Sequence, residues 1–201
     1  MLRSRFCAVL LSIVLLTTIA YCYEVTVGLT KKTGGAPSSS PPLIIYYSRT
    51  GNTRTVAQEL ARSLSCEIEE IISRKNRHLW GILTCVNDQL FDRDDVITPL
   101  KKDIARYNPL LIASPVWIHR ISSPMRTFIK YSGLKGKDAV LILTNNGNFS
   151  EEDKHNIIHS VESYGITVKG CYSICSKDKS KDALQQDARS LVQDIAVSVN
   201  Q

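Results

Sequence analysis

The chain has 201 residues, 43% of them hydrophobic and 22% charged, with a formal net charge of +6. Arg3 and Arg5 supply two of those charges, and the +4 that remains would not steer the chain onto a basic protein partner. The basic residues form no aromatic-interleaved stripe that would recommend nucleic acid, and the length suits one domain with a substantial core behind an amino-terminal extension.

Taken from its start, the chain sets Arg3 and Arg5 ahead of an uncharged run from Phe6 to Tyr23. A basic start followed by an apolar run reads as a signal peptide or a signal anchor over residues 1–22. Ala20 and Cys22 loosely satisfy a small-residue cleavage pattern that would start the mature chain at Tyr23, and the run of about 18 residues could also just span a bilayer. Arginines before the run favour that end in the cytosol and the domain outside. Residues 23–42, with Gly, Ser and Pro concentrated from Lys31 onwards, form a flexible linker to a domain over residues 43–201. The expected location is exported or membrane-anchored through residues 6–23, and a cytoplasmic domain is the alternative.

Five apolar residues, Leu43 to Tyr47, then suit a strand buried on both faces of a parallel sheet. Val56, Leu60 and Leu64 recur at helical spacing soon after. Between them lies Ser48-Arg49-Thr50-Gly51-Asn52-Thr53, which sets hydroxyls and backbone amides at a helix start, where unpaired N–H groups and the helix dipole favour a phosphate. The loop lacks the lysine of a nucleotide triphosphatase loop and the three glycines of a dinucleotide fingerprint. Without a ligand, the same residues would serve as an ordinary capped turn.

Cys66 to Ile72 is half polar, as an edge strand should be. Trp80, Ile82, Leu83 and Val86 suggest a helix, and Asp92 to Pro99 a loop. Leu110 to Ala113 is a further short strand, leading into a loop over Ser114-Pro115-Val116-Trp117-Ile118-His119-Arg120. Ser123-Pro124 opens a helix carrying Met125, Phe128 and Ile129. Ala139 to Thr144 is the next strand and runs into the polar turn Asn145-Asn146-Gly147-Asn148-Phe149. Ser150 and the acidic residues Glu151, Glu152 and Asp153 begin the helix that follows. Ile166 to Cys175 gives a fifth strand, and Leu184, Ala188, Leu191, Ile195 and Val199 make the apolar stripe of one last helix.

Alternating strands and helices imply a three-layer α/β/α doubly wound fold with a five-stranded parallel sheet. Ligands of such sheets sit beyond the carboxyl ends of the strands at the switch point of strand order, so the three polar loops should converge there. Cys66, Cys85, Cys171 and Cys175 contain no C-x-x-C pair, and Cys171 and Cys175 on one strand would lie about 13 Å apart, too far for a disulfide. The spacing of His155 and His159 fits an exposed helix face better than a metal site.

The pattern Ser48-x-Thr50-Gly51-Asn52-Thr53 behind an apolar strand resembles the FMN-phosphate loop of the flavodoxin family, and the resemblance extends over residues 43 to about 198. It implies the strand order 2-1-3-4-5, and that Ser48, Thr50, Asn52 and Thr53 bind the phosphate of FMN while Arg49 and Gly51 supply loop amides. It further implies that Ser114, Pro115, Val116, Trp117 and Ile118 on one side, with Asn146, Gly147, Asn148 and Phe149 on the other, flank the isoalloxazine, Trp117 stacking on it. The implied function is an FMN-dependent oxidoreductase, with NAD(P)H or a reductase as electron donor and a quinone, another small molecule or a redox protein as acceptor. His119, after Trp117, is by position a candidate proton donor to a quinone. Two alternatives are a one-electron flavodoxin shuttling between protein partners and a flavodoxin-fold interaction domain without flavin.

Overall fold

A computed structural model describes residues 42–75 and 81–200. The signal or anchor segment, nearly all of the linker, and Trp80 lie outside the described residues. Among the described residues no helix is long and apolar enough to cross a membrane.

The central sheet begins with β1 (Leu43–Tyr46), whose four residues are all buried. Strand β2 (Glu67–Glu70) pairs with it in parallel, from Leu43 opposite Glu67 to Tyr46 opposite Glu70, and its polar residues occupy the sheet edge. On the other side of β1 lies β3 (Leu110–Trp117), followed by β5 (Asp138–Asn145) and β6 (Thr167–Cys175). The five parallel strands therefore stand in the spatial order 2-1-3-4-5 when counted along the chain, as the flavodoxin resemblance implies. One strand was not foreseen. β4 (Arg120–Ile121) turns back antiparallel on β3, pairing Val116 with Ile121 and Trp117 with Arg120.

Helices cover both faces, since strands buried on two sides must be packed on two sides. One apolar layer joins Leu43, Ile45, Leu110 and Ile112 to Met125 and Phe128 of α3 (Ser123–Tyr131) and to Ile157 and Val161 of α4 (Glu151–Glu162). The opposite layer joins Ile44, Leu111, Val140 and Ile142 to Val56 and Leu60 of α1 (Asn52–Ser63), Leu184 of α5 (Lys181–Ser190) and Ile195 of α6 (Val192–Val199). The expected single last helix is thus two, broken at Leu191, whose φ of −91° and ψ of −7° interrupt the helix while the apolar stripe continues across the break. Helix α2 (Gly81–Leu90) falls where the weak apolar pattern placed one.

Helix α1 is fixed from the side. The carboxylate of Glu59, 2% exposed, accepts from Arg189 Nε of α5 at 2.6 Å and from Arg62 Nη1 at 2.5 Å. The Arg189 guanidinium, ahead of burial, which opposes it, holds the Glu59 carboxyl below the usual carboxylate range. Burying the charge is tolerable because it is paired and hydrogen-bonded.

Candidate functional site

The chain leaves β1 into a loop that does not close the helix behind it. Gly51, the residue before α1, has φ +103° in the left-handed region, and no side chain caps the helix. Ser48 Oγ instead accepts from the Gly51 amide at 3.1 Å, and Thr55 donates both its amide and its hydroxyl back to the Gly51 carbonyl. Among the described residues nothing accepts from the backbone amides of Asn52, Thr53 and Arg54. A Cβ placed on Gly51 would meet nothing within 4 Å, so the space over the loop is open. Unpaired amides, the positive end of a helix dipole and the exposed Arg49 and Thr50 form a donor set that fits a phosphate monoester. Thr53 is buried, its hydroxyl 2.7 Å from that of Thr144 at the end of β5, which locks the helix start to the adjacent strand end.

The second loop differs from its sequence prediction. Residues 114–117 continue β3 as strand, and the connection to β4 is a two-residue turn of Ile118 and His119, with φ of 46° and 60°. Tight hairpins of this kind normally announce themselves with Asn-Gly or Asp-Gly, so Ile-His gave no signal. A β-branched residue at positive φ is strained, at a cost of about 1–3 kcal/mol, and neighbouring contacts hold the turn. His119 Nδ1 lies 3.0 Å from Asp153 Oδ2, Arg120 donates to the Gln89 carbonyl at 3.0 Å, and Asp92 stands 3.4 Å from Arg120. Ser114 is fully buried, its hydroxyl 2.8 Å from that of Ser122, and so braces the base of the hairpin. Trp117 meets Tyr47 edge to face, ring centroids 5.6 Å apart.

The third loop follows β5. Asn145 Oδ1 accepts from the Gly147 amide at 2.9 Å, and the Asn145 carbonyl accepts from Ser176, amide and hydroxyl, at 2.7 and 3.0 Å. Gly147 needs its φ of +98° for the turn. The helix after this loop is closed: Ser150 and Asp153 form a reciprocal capping box.

All three loops meet in one open cleft of about 100 Å³ beyond the carboxyl ends of the strands. Arg49, Thr50, Asn52 and Thr53 line it from the first loop, Pro115, Val116 and Trp117 from the second, and Asn146 from the third. Ser48 faces an adjoining depression that also touches Arg49. Ser114, Gly51, Ile118, Gly147, Asn148 and Phe149 are not part of the cleft lining. Phe149 packs on the core layer of α3 and α4, and Ile118 is exposed at the hairpin tip. Sequence reasoning missed Thr144, Asn145 and Ser176, which complete the lining. Thr144 read as ordinary strand end and Asn145 as the start of the polar turn without a site role, but Ser176 was inferable, because the fifth strand ends beside the fourth and its next residue must face the same edge.

The thiols take no part in this arrangement. None of the four described cysteines forms a disulfide, and burial pushes Cys66 up to about 11 and Cys171 up to about 12. His155 and His159 are exposed on α4, and the described residues contain no group of three or more metal-binding side chains.

Fold and cleft together define a flavodoxin-like flavoprotein. Residues 43–172 match the family described as NADPH-dependent FMN reductase, and the chain belongs to that family, whose cofactor is FMN. A Lactobacillus acidophilus flavoprotein solved with FMN superposes with a TM-score of 0.56 at 20% identity, covering 67% of this chain and 93% of that one. A proposed flavoprotein of Bacteroides eggerthii superposes at 0.60 with 21% identity over 79% of this chain and 99% of that one. These likenesses establish the fold. No curated protein matches the sequence.

Proposed function

We propose that this chain is an FMN-dependent oxidoreductase that takes electrons from a reduced nicotinamide and passes them to a small acceptor such as a quinone. The observation that carries this is the convergence of the three loops on one cleft, with an uncapped helix start at one end and Trp117 at the other. The amides of Asn52, Thr53 and Arg54 and the hydroxyl of Thr50 hold the phosphate, while Trp117, backed by Tyr47, offers an aromatic face to the ring system. Asn146 and the backbone of the third loop supply polar groups for the ring edge. FMN, when bound, supplies the redox chemistry, and the chain binds it, orients it and limits water around it. Residues 1–22 would direct export or membrane anchoring, with residues 23–42 as tether and the domain on the non-cytosolic side.

The test is turnover. The purified, FMN-loaded chain should oxidise NADPH several-fold faster when a quinone is added, read as loss of nicotinamide absorbance. A folded, FMN-loaded chain that oxidises NADPH no faster with any small acceptor, yet reduces a redox protein, would overturn the small-acceptor assignment in favour of an electron carrier.

A further inference from the structure

We infer that Asp153 is a positioning residue for the cleft: through His119 it holds the Ile118–His119 turn, and with it Trp117, in the arrangement that receives the cofactor. The inference rests on the FMN-binding role proposed above. The turn consists of two non-glycine residues at positive φ, a conformation that neither side chain favours and that packing must impose. Asp153 Oδ2 is the anchor. It accepts from the Ser150 amide at 2.8 Å and the Ser150 hydroxyl at 2.9 Å, and lies 3.0 Å from His119 Nδ1. The Ser150 amide, and after it His119, hold the Asp153 carboxyl below the usual carboxylate range, so it stays charged opposite the imidazole. Ser150 directly follows Phe149, so this one carboxylate joins the tip of the second loop to the end of the third. Arg120, bonded to the end of α2, steadies the other flank. A platform held before the ligand arrives spares the ordering cost that a loose hairpin would incur on binding. It also gives His119 a use other than proton donation: its Nδ1 is engaged with Asp153.

The test is a double-mutant cycle on FMN affinity, read by quenching of flavin fluorescence in the full chain. His119→Ala and Asp153→Ala should each weaken binding by about two- to fivefold, the range of a partly exposed hydrogen-bonded side-chain pair, and the double variant should be no weaker than the poorer single. His119→Asn, which keeps a donor near the place of Nδ1, should recover most of the loss. Ser150→Ala, which breaks the cap but not the contact to His119, should bind FMN as the wild type does. Losses that multiply in the double variant, or a Ser150→Ala loss equal to that of Asp153→Ala, would overturn the inference and assign the effect to the helix cap. Wild-type binding with unaltered variants would overturn this inference alone, whereas a wild type that binds no FMN would overturn the cofactor site and this inference together. Should Asp153→Ala fail to fold, the His119→Ala and His119→Asn pair still decides.

Discussion

Two helices of this domain start in the same way, after a buried parallel strand and a polar loop, yet their first turns are finished differently. At α4 the Ser150 hydroxyl and the Asp153 carboxylate close a capping box, and three acidic residues fill the first turn. At α1 no side chain caps, no acid stands in the first turn, and a left-handed glycine holds the loop back from the open amides. Closing a helix start adds about 1 kcal/mol of stability, so leaving one open forgoes stability in exchange for a place where an anion can supply the missing acceptors. The body of α1 is meanwhile secured from the side by Glu59 and Arg189. On the reading proposed above, the open start of α1 serves binding, and the closed start of α4 serves stability.

Substitutions at the two starts should therefore have opposite signatures. Thr50→Glu places a carboxylate at the proposed phosphate site and should weaken FMN binding by about 3 kcal/mol, roughly a hundredfold, with little change in melting temperature; equal losses in both would erase the distinction. Trp117→Ala, at the far end of the same cleft, should weaken FMN about tenfold in fluorescence titration, the worth of one aromatic contact. Ser150→Ala should do the reverse of Thr50→Glu, lowering unfolding stability by about 1 kcal/mol in urea titration while FMN affinity stays unchanged. The smallest effect concerns the side anchor. Because the Glu59 carboxyl is depressed in the folded state, its contribution is present above the ordinary carboxylate range and is lost as pH falls through the folded value. The melting-temperature gap between wild type and Glu59→Gln should thus be widest above about pH 5 and narrow below about pH 4.

Both helix starts were legible in the sequence, whereas the hairpin beside the cleft was not. Leu43 to Tyr46 are apolar without a break because β1 is covered on both faces, and the hydroxyl-rich loop after it carries its chemistry in its own residue types. The alternation of elements gave a doubly wound parallel sheet, and the resemblance carried by that loop gave its strand order. The Ile118–His119 hairpin could not be read, because its conformation is imposed by Asp153, Gln89 and Asp92, which lie far away in the chain. Ser114 looked like a loop residue beside a proline, whereas its hydroxyl serves the buried contact with Ser122. Thr144 and Asn145 are cleft residues by virtue of the strand end they occupy and the neighbours that end receives, which local pattern does not encode.

The most direct test of the open helix start is an absorbance spectrum of the purified chain after incubation with excess FMN and removal of unbound ligand. Retained flavin absorbance near ~450 nm in the wild type, absent from an equally folded Thr50→Glu variant, is the predicted result. A folded wild-type chain that emerges colourless, or a Thr50→Glu chain as yellow as the wild type, would contradict it.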